Sequence, residues 1–149
     1  MHAPVRSTTL RPRSPATRAW LRLLRVCHRI ERTLGEDLRS HSLSLAQFDV
    51  LAHVGSAEGM TQQELARRLL VTKGNVCQLL DRLQATHLIE RRREGRSNRL
   101  YLTAGGRTLF EELLPGHEAL IAKQLGSLSA AEQLQLLELL RRLDRTPVP

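Results

Sequence analysis

Apolar residues recur along this chain at two different periods, and the change between them organises the whole sequence. From residue 15 to about residue 40, Trp20, Leu23, Leu24, Cys27, Ile30, Leu34 and Leu38 repeat at helical spacing. Ser44, with Gln47 three positions on, has the form of a capping box that opens a second helix. That helix turns Phe48, Leu51, Ala52 and Val54 inward. Gly59 closes the next turn, and Thr61 with Glu64 repeats the capping pattern ahead of a third helix carrying Leu65, Ala66 and Leu69. A fourth helix is expected from Thr72 to about Thr86, with Val76, Leu79, Leu80 and Leu83 facing the core.

The helical period then stops. Leu88 and Ile89 lead into Arg91, Arg92 and Arg93, and a polar turn spans residues 94–98. Leu100, Tyr101 and Leu102 follow, which together predicts a β-hairpin. A fifth helix begins after Thr103 and is expected to bend near Pro115, which donates nothing to the helical ladder. Ser129 and Glu132 cap a sixth, which repeats Leu134, Leu137, Leu140 and Leu143. The expected class is all-α with a small β-hairpin wing. Residues 1–15 read as a flexible basic arm, residues 16–145 as one domain and residues 146–149 as a short tail.

Composition narrows the function. The net charge is +8, and of the 23 basic residues all but Lys73 and Lys123 are arginine. A genome rich in G·C favours arginine over lysine, but that does not explain the excess of base over acid. Such a surplus attracts polyanions, and the planar guanidinium matches phosphates and guanine edges. Two cysteines suggest no disulfide framework, and no apolar run is long enough for a membrane span or a signal peptide. The expectation is a cytoplasmic protein with no membrane partner. The histidines and cysteines show no metal-ligand spacing, and no catalytic motif is present, so neither a metal, a cofactor nor an enzymatic activity is expected.

Residues 61–103 carry the functional signal. Two short helices meet at a tight connection, and a basic hairpin follows. In that arrangement the first helix braces the second, whose N-terminal outer side enters a major groove. The residues so presented are Thr72, Lys73, Gly74, Asn75, Cys77 and Gln78. Asn and Gln pair with adenine, Lys reaches guanine or phosphate, and Gly74 permits close approach. Thr61, Gln62 and Gln63 at the start of the third helix suit a phosphate. Helix pairs with polar outer faces are common in proteins that bind no nucleic acid, so the hairpin decides the matter. It packs Arg91, Arg92, Arg93, Arg96 and Arg99 into nine residues, against only Glu90 and Glu94. Arg96 at its tip, with Ser97 and Asn98 beside it, suits a minor groove, and Arg93 and Arg99 suit phosphates.

The chain resembles the MarR-type transcription regulators over residues 16–143. The resemblance lies in Leu45-Ala46-Gln47-Phe48-Asp49-Val50-Leu51, Thr61-Gln62-Gln63-Glu64-Leu65-Ala66, Leu79-Leu80-Asp81-Arg82-Leu83 and Leu102-Thr103-Ala104-Gly105-Gly106. Where the family usually has Asp-x-Arg at the wing, this chain has Glu94-Gly95-Arg96. The resemblance implies a winged helix-turn-helix core at about residues 44–103. It also implies a helical dimerisation region, at about residues 16–40 and 104–145, that interlocks two copies. The implied function is a repressor of a pseudo-palindromic operator in double-stranded DNA, relieved by a small aromatic or anionic effector bound between the two regions. The apolar stripes of the first and sixth helices independently suit a homodimer.

Trp20, Asp49, Arg82 and Arg93 resemble the effector-binding set of the family's urate-responsive members. A structural reading competes, in which Trp20 packs and Arg82 pairs with Asp49 or Asp81, and buried charge partners are normally structural. Cys27 is expected to be a small core residue and Cys77 to be exposed near DNA. The alternative function is an architectural DNA binder without an effector. Asn75 and Gln78 argue against it, since a pure phosphate binder needs no amides there. An RNA-binding module is disfavoured because aromatic residues make up only 3% of the chain.

Overall fold

The protein is described from a computed structural model covering residues 14–69 and 73–145. Six helices and one hairpin follow in the expected order: α1 (Pro15–Arg39), α2 (Leu45–Ser56), α3 (Gln62–Leu69), α4 (Lys73–Ala85), β1 (Ile89–Glu94), β2 (Ser97–Leu102), α5 (Ala104–Gln124) and α6 (Ala130–Asp144). The basic arm up to residue 13, the connection at 70–72 with Thr72, and the tail lie outside the described residues.

Helix starts behave as their sequences dictate. The Ser44 and Ser129 hydroxyls accept from the amides of Gln47 and Glu132, whose side chains accept in return from the cap amides. Two helix ends have no glycine to announce them. After α1, Ser42 adopts φ 58°, with Ser42 N–H donating to Arg39 and Leu43 N–H to Leu38. After α4, His87 adopts φ 58°, its N–H donating to Gln84 while Leu88 N–H donates to Leu83. Both are Schellman closures, and each brings two leucines together across the stop.

The core joins α2, α3, α4 and the hairpin. Phe48, Leu51, Leu65, Leu80, Leu83 and Leu100 are all fully buried in it. β1 and β2 pair antiparallel from Ile89↔Leu102 to Glu94↔Ser97, leaving a two-residue loop of Gly95 and Arg96. The turn is therefore shorter than expected, and Ser97 and Asn98 belong to β2. Gly95 has φ +62°, the conformation that the first central position of a II′ hairpin turn requires. The hairpin is sewn to the loop before α3, because Gly59 N–H donates to Leu100 and Leu100 N–H donates to Met60. Behind it, Thr103 Oγ1 donates to the His87 carbonyl at 2.6 Å and accepts from Gly106 N–H at 2.9 Å. Gly106 packs so closely that a Cβ there would lie 1.9 Å from the Leu88 carbonyl oxygen.

α5 runs as one continuous helix with Pro115 inside it. α6 buries no residue, and Leu134 and Leu143 are 67% and 66% exposed. Only the C-terminal half of α1 enters the core, through Leu34 and Leu38. Its N-terminal half buries no residue fully, and Trp20, Leu21 and Cys27 are exposed. Cys27 is thus not the core residue its apolar face suggested. No helix among the described residues is long and apolar enough to cross a membrane.

Candidate nucleic-acid interface

The start of α3 is held by reciprocal bonds. Glu64 N–H donates to Thr61 Oγ1 at 3.1 Å, and Thr61 N–H donates to Glu64 Oε2 at 2.8 Å. The Thr61 backbone bond holds the Glu64 carboxyl below its ordinary range. Gln62 Nε2 donates to Cys77 Sγ at 3.5 Å, which ties α3 to α4. α4 is sharply two-sided: Val76, Leu80 and Leu83 are buried, while Gly74, Asn75, Cys77 and Gln78 are exposed. Lys73 opens the helix on the same turn.

The hairpin sorts its arginines into two groups. Arg91 binds Gln84 Oε1 at 2.8 Å and pairs with Asp81, anchoring β1 to α4. Asp81 is thus the partner of Arg91 rather than of Arg82. Arg92 pairs with Glu90 and lies 4.2 Å above the Tyr101 ring. Arg99 Nη1 donates to the Gly59 carbonyl at 2.8 Å, and its Nε meets Glu94 at 3.0 Å. Glu94 also accepts from Tyr101 Oη at 3.0 Å, so the residue at the family's usual aspartate position buttresses the wing from within. Arg93 makes one long bond, to the Gly95 carbonyl at 3.4 Å, and Arg96 stands at the tip. Among the described residues, these two are the wing arginines without an acidic partner.

The fold then brings these pieces onto one concave face. A cleft of about 290 Å³ is lined by Thr61, Gln62, Gln63, Val76, Cys77, Arg96, Ser97 and Asn98. The N-terminus of α3, the outer turn of α4 and the wing tip, distant in sequence, share its walls. Gln62 Oε1 is buried there without a hydrogen-bond partner among the described residues.

Trp20, Asp49, Arg82 and Arg93 are not gathered in the same way. Trp20 is 56% exposed on α1, Arg82 and Arg93 are exposed on α4 and β1, and none of the four lines this cleft. Asp49 is half-buried on α2, and burial raises its carboxyl above the ordinary value, against the opposing fields of His117 and His53. His117 lies beside Asp49 in the fold, and the sequence pattern did not single it out. It is buried on α5, packs against Phe48 with ring centroids 4.2 Å apart, and has no hydrogen-bond partner for Nδ1 among the described residues. Burial pushes its pKa below the ordinary value. Nothing local marks it, because its partners come from α2 and α1.

A braced recognition helix, a polar α3 start and an arginine-tipped hairpin define a winged helix-turn-helix DNA-binding protein. Residues 41–99 match the sequence profile of the MarR family. An HTH-type transcriptional regulator of Bacillus cereus is 32% identical over 127 residues, covering 85% of this chain and 86% of that protein. The HTH-type transcriptional repressor MdtR of Bacillus subtilis is 30% identical, covering 83% and 81%. Among solved structures, a cysteine-to-serine mutant of MarR from E. coli complexed with operator DNA superposes with a TM-score of 0.75. It is 30% identical, with 82% of this chain and 91% of that one covered. The chain belongs to the MarR family of transcriptional regulators.

Proposed function

We propose that the protein is a sequence-specific repressor acting in the cytoplasm as a homodimer on a pseudo-palindromic operator, and released by a small aromatic or anionic ligand. The observation that carries the reading is the shared concave face, on which Gln62, Gln63, Cys77, Arg96, Ser97 and Asn98 meet. Gly74, Asn75 and Gln78 line the outer side of α4 beside it. Amides on a recognition helix read base edges, and an arginine at a turn tip enters a minor groove. Arg93 serves a backbone phosphate, as do Thr61 before α3 and Lys73 at the start of α4, with Thr72, which lies outside the described residues, preceding Lys73 in sequence. Arg99, held by the Gly59 carbonyl and Glu94, braces the wing instead.

Dimerisation is supported by the leucines of α6 and by Trp20 and Leu21, which the protomer leaves uncovered. The two recognition helices then sit about one DNA turn, ~34 Å, apart. The effector reading rests on Asp49 and on His117, whose buried Nδ1 has no hydrogen-bond partner among the described residues. Trp20, Arg82 and Arg93 are exposed on other elements and do not join them within the protomer.

The test is binding of Asn75→Ala and Gln78→Ala to a duplex selected from a random pool and to an unselected duplex. Each change costs about 1–3 kcal/mol on the selected site alone. Equal losses on both duplexes favour the architectural reading instead. A monomeric mass in light scattering overturns the dimer.

A further inference from the structure

α1 carries a second basic feature that the DNA-reading face does not use. Arg18, Arg22, Arg25, Arg29 and Arg32 follow one another at steps of four, three, four and three residues, and all five are exposed. At 3.6 residues per turn these steps keep them within about 80° of arc, in a stripe about 21 Å long. The stripe lies roughly opposite Leu34 and Leu38, the residues by which α1 enters the core. Trp20 lies across the helix from it and Leu21 only at its edge, so a dimer formed through Trp20 leaves the body of the stripe open.

The stripe contradicts the local rules of helix stability in three ways. Like charges at i,i+3 and i,i+4 repel along its whole length. Arg18 stands in the first turn, where the macrodipole is positive and no acidic residue offsets it. Glu36 is the only acidic residue three or four positions from any of the five, and no ion pair to them occurs among the described residues. A helix that accumulates such costs without internal compensation is built for an external anion.

We propose that the α1 stripe binds the phosphate backbone of a second DNA duplex, so that a dimer seated on its operator bridges to another segment. The chemistry selects this occupant. An acidic protein partner needs an apolar centre to anchor it, and the one exposed large apolar side chain beside the stripe, Leu21, stands at its edge near one end. A membrane surface needs an inserted apolar face; the C-terminal half of α1 buries its apolar side through Leu34 and Leu38, and the exposed Trp20 and Leu21 of the N-terminal half are taken up by the proposed dimer. A rod with one charge per about 1.7 Å presents about a dozen phosphates along the stripe's length.

The experiment immobilises a pool-selected duplex on beads, loads the full-length protein, and measures capture of a labelled, unselected duplex across a salt series. The parent retains the second duplex, with a salt slope of about −4.5 for five neutralised phosphates. The variant with all five arginines changed to Gln, its folding checked by circular dichroism, keeps its affinity for the immobilised duplex within about threefold. It loses at least about tenfold in capture, with a slope near zero. The milder pair R22E and R29E loses capture too, while Lys at all five positions preserves it. Capture by the Gln variant equal to the parent's overturns the proposal. So does a parent that captures no duplex, including one that binds phosphatidylserine vesicles instead. Failure to bind the immobilised duplex would count against the operator-reading site, not against the stripe.

Discussion

Arg99→Ala and Arg96→Ala separate bracing from DNA contact within a single hairpin. Arg99 donates to the Gly59 carbonyl at 2.8 Å and meets Glu94 at 3.0 Å, with its side chain 41% exposed. A buried hydrogen bond from a charged donor contributes about 1.5–3 kcal/mol, and an exposed ion pair about 0.2–1 kcal/mol. At this exposure water replaces part of both, so the loss comes to about 1–2 kcal/mol. For a chain of this size that lowers Tm by about 3–6 °C. Arg96 is exposed, and its truncation changes stability by less than about 0.5 kcal/mol. The DNA effects run the other way. Arg96→Ala lowers the salt slope by about one unit and weakens A·T-rich wing sites most, since a narrow minor groove attracts the arginine. Arg99→Ala acts on DNA mainly through a loosened wing. Thermal melting alongside anisotropy titrations at several salt concentrations reads both quantities. Suppose Arg99→Ala melts with the parent yet loses a full unit of salt slope. Arg99 is then a phosphate ligand, and the bracing argument fails.

Gly106→Ala forces a Cβ to within 1.9 Å of the Leu88 carbonyl oxygen. It should cost at least about 3 kcal/mol in denaturant unfolding, and a loss under about 1 kcal/mol would show that the α5 start relaxes freely. His87→Gly relieves the left-handed strain at φ 58° and should stabilise by about 0.5 kcal/mol net of its entropy cost; a destabilised variant refutes this reading of the α4 stop. The His117 pKa lies below its ordinary 6.5 in the folded protein, so the unfolded chain takes up its proton first. Stability should therefore fall as pH drops from 6.5 towards the folded value, and His117→Leu should flatten that slope; an unchanged slope assigns it to another group.

What could be read without coordinates was what local chemistry controls. The capping boxes at Ser44, Thr61 and Ser129 marked three helix starts, because a cap and its N3 partner are sequence neighbours. The switch from helical to alternating spacing at Leu88 located the hairpin for the same reason. The helix stops at Ser42 and His87 were blurred by a residue or two, since neither is glycine and the left-handed turn is enforced by buried leucines.

Sequence by itself determined the order of elements, the two-sidedness of α4 and the excess of arginine in the wing, all set by contacts within a turn or a strand. Only the tertiary structure decided which of those arginines are spent. Asp81, Gln84 and Gly59 come from other elements to claim Arg91 and Arg99, leaving Arg93 and Arg96 without an acidic partner. Long-range packing likewise placed His117 against Phe48 and exposed Cys27. A guanidinium's partners and an imidazole's burial depend on which distant segments the core draws together, and no spacing along the chain records that.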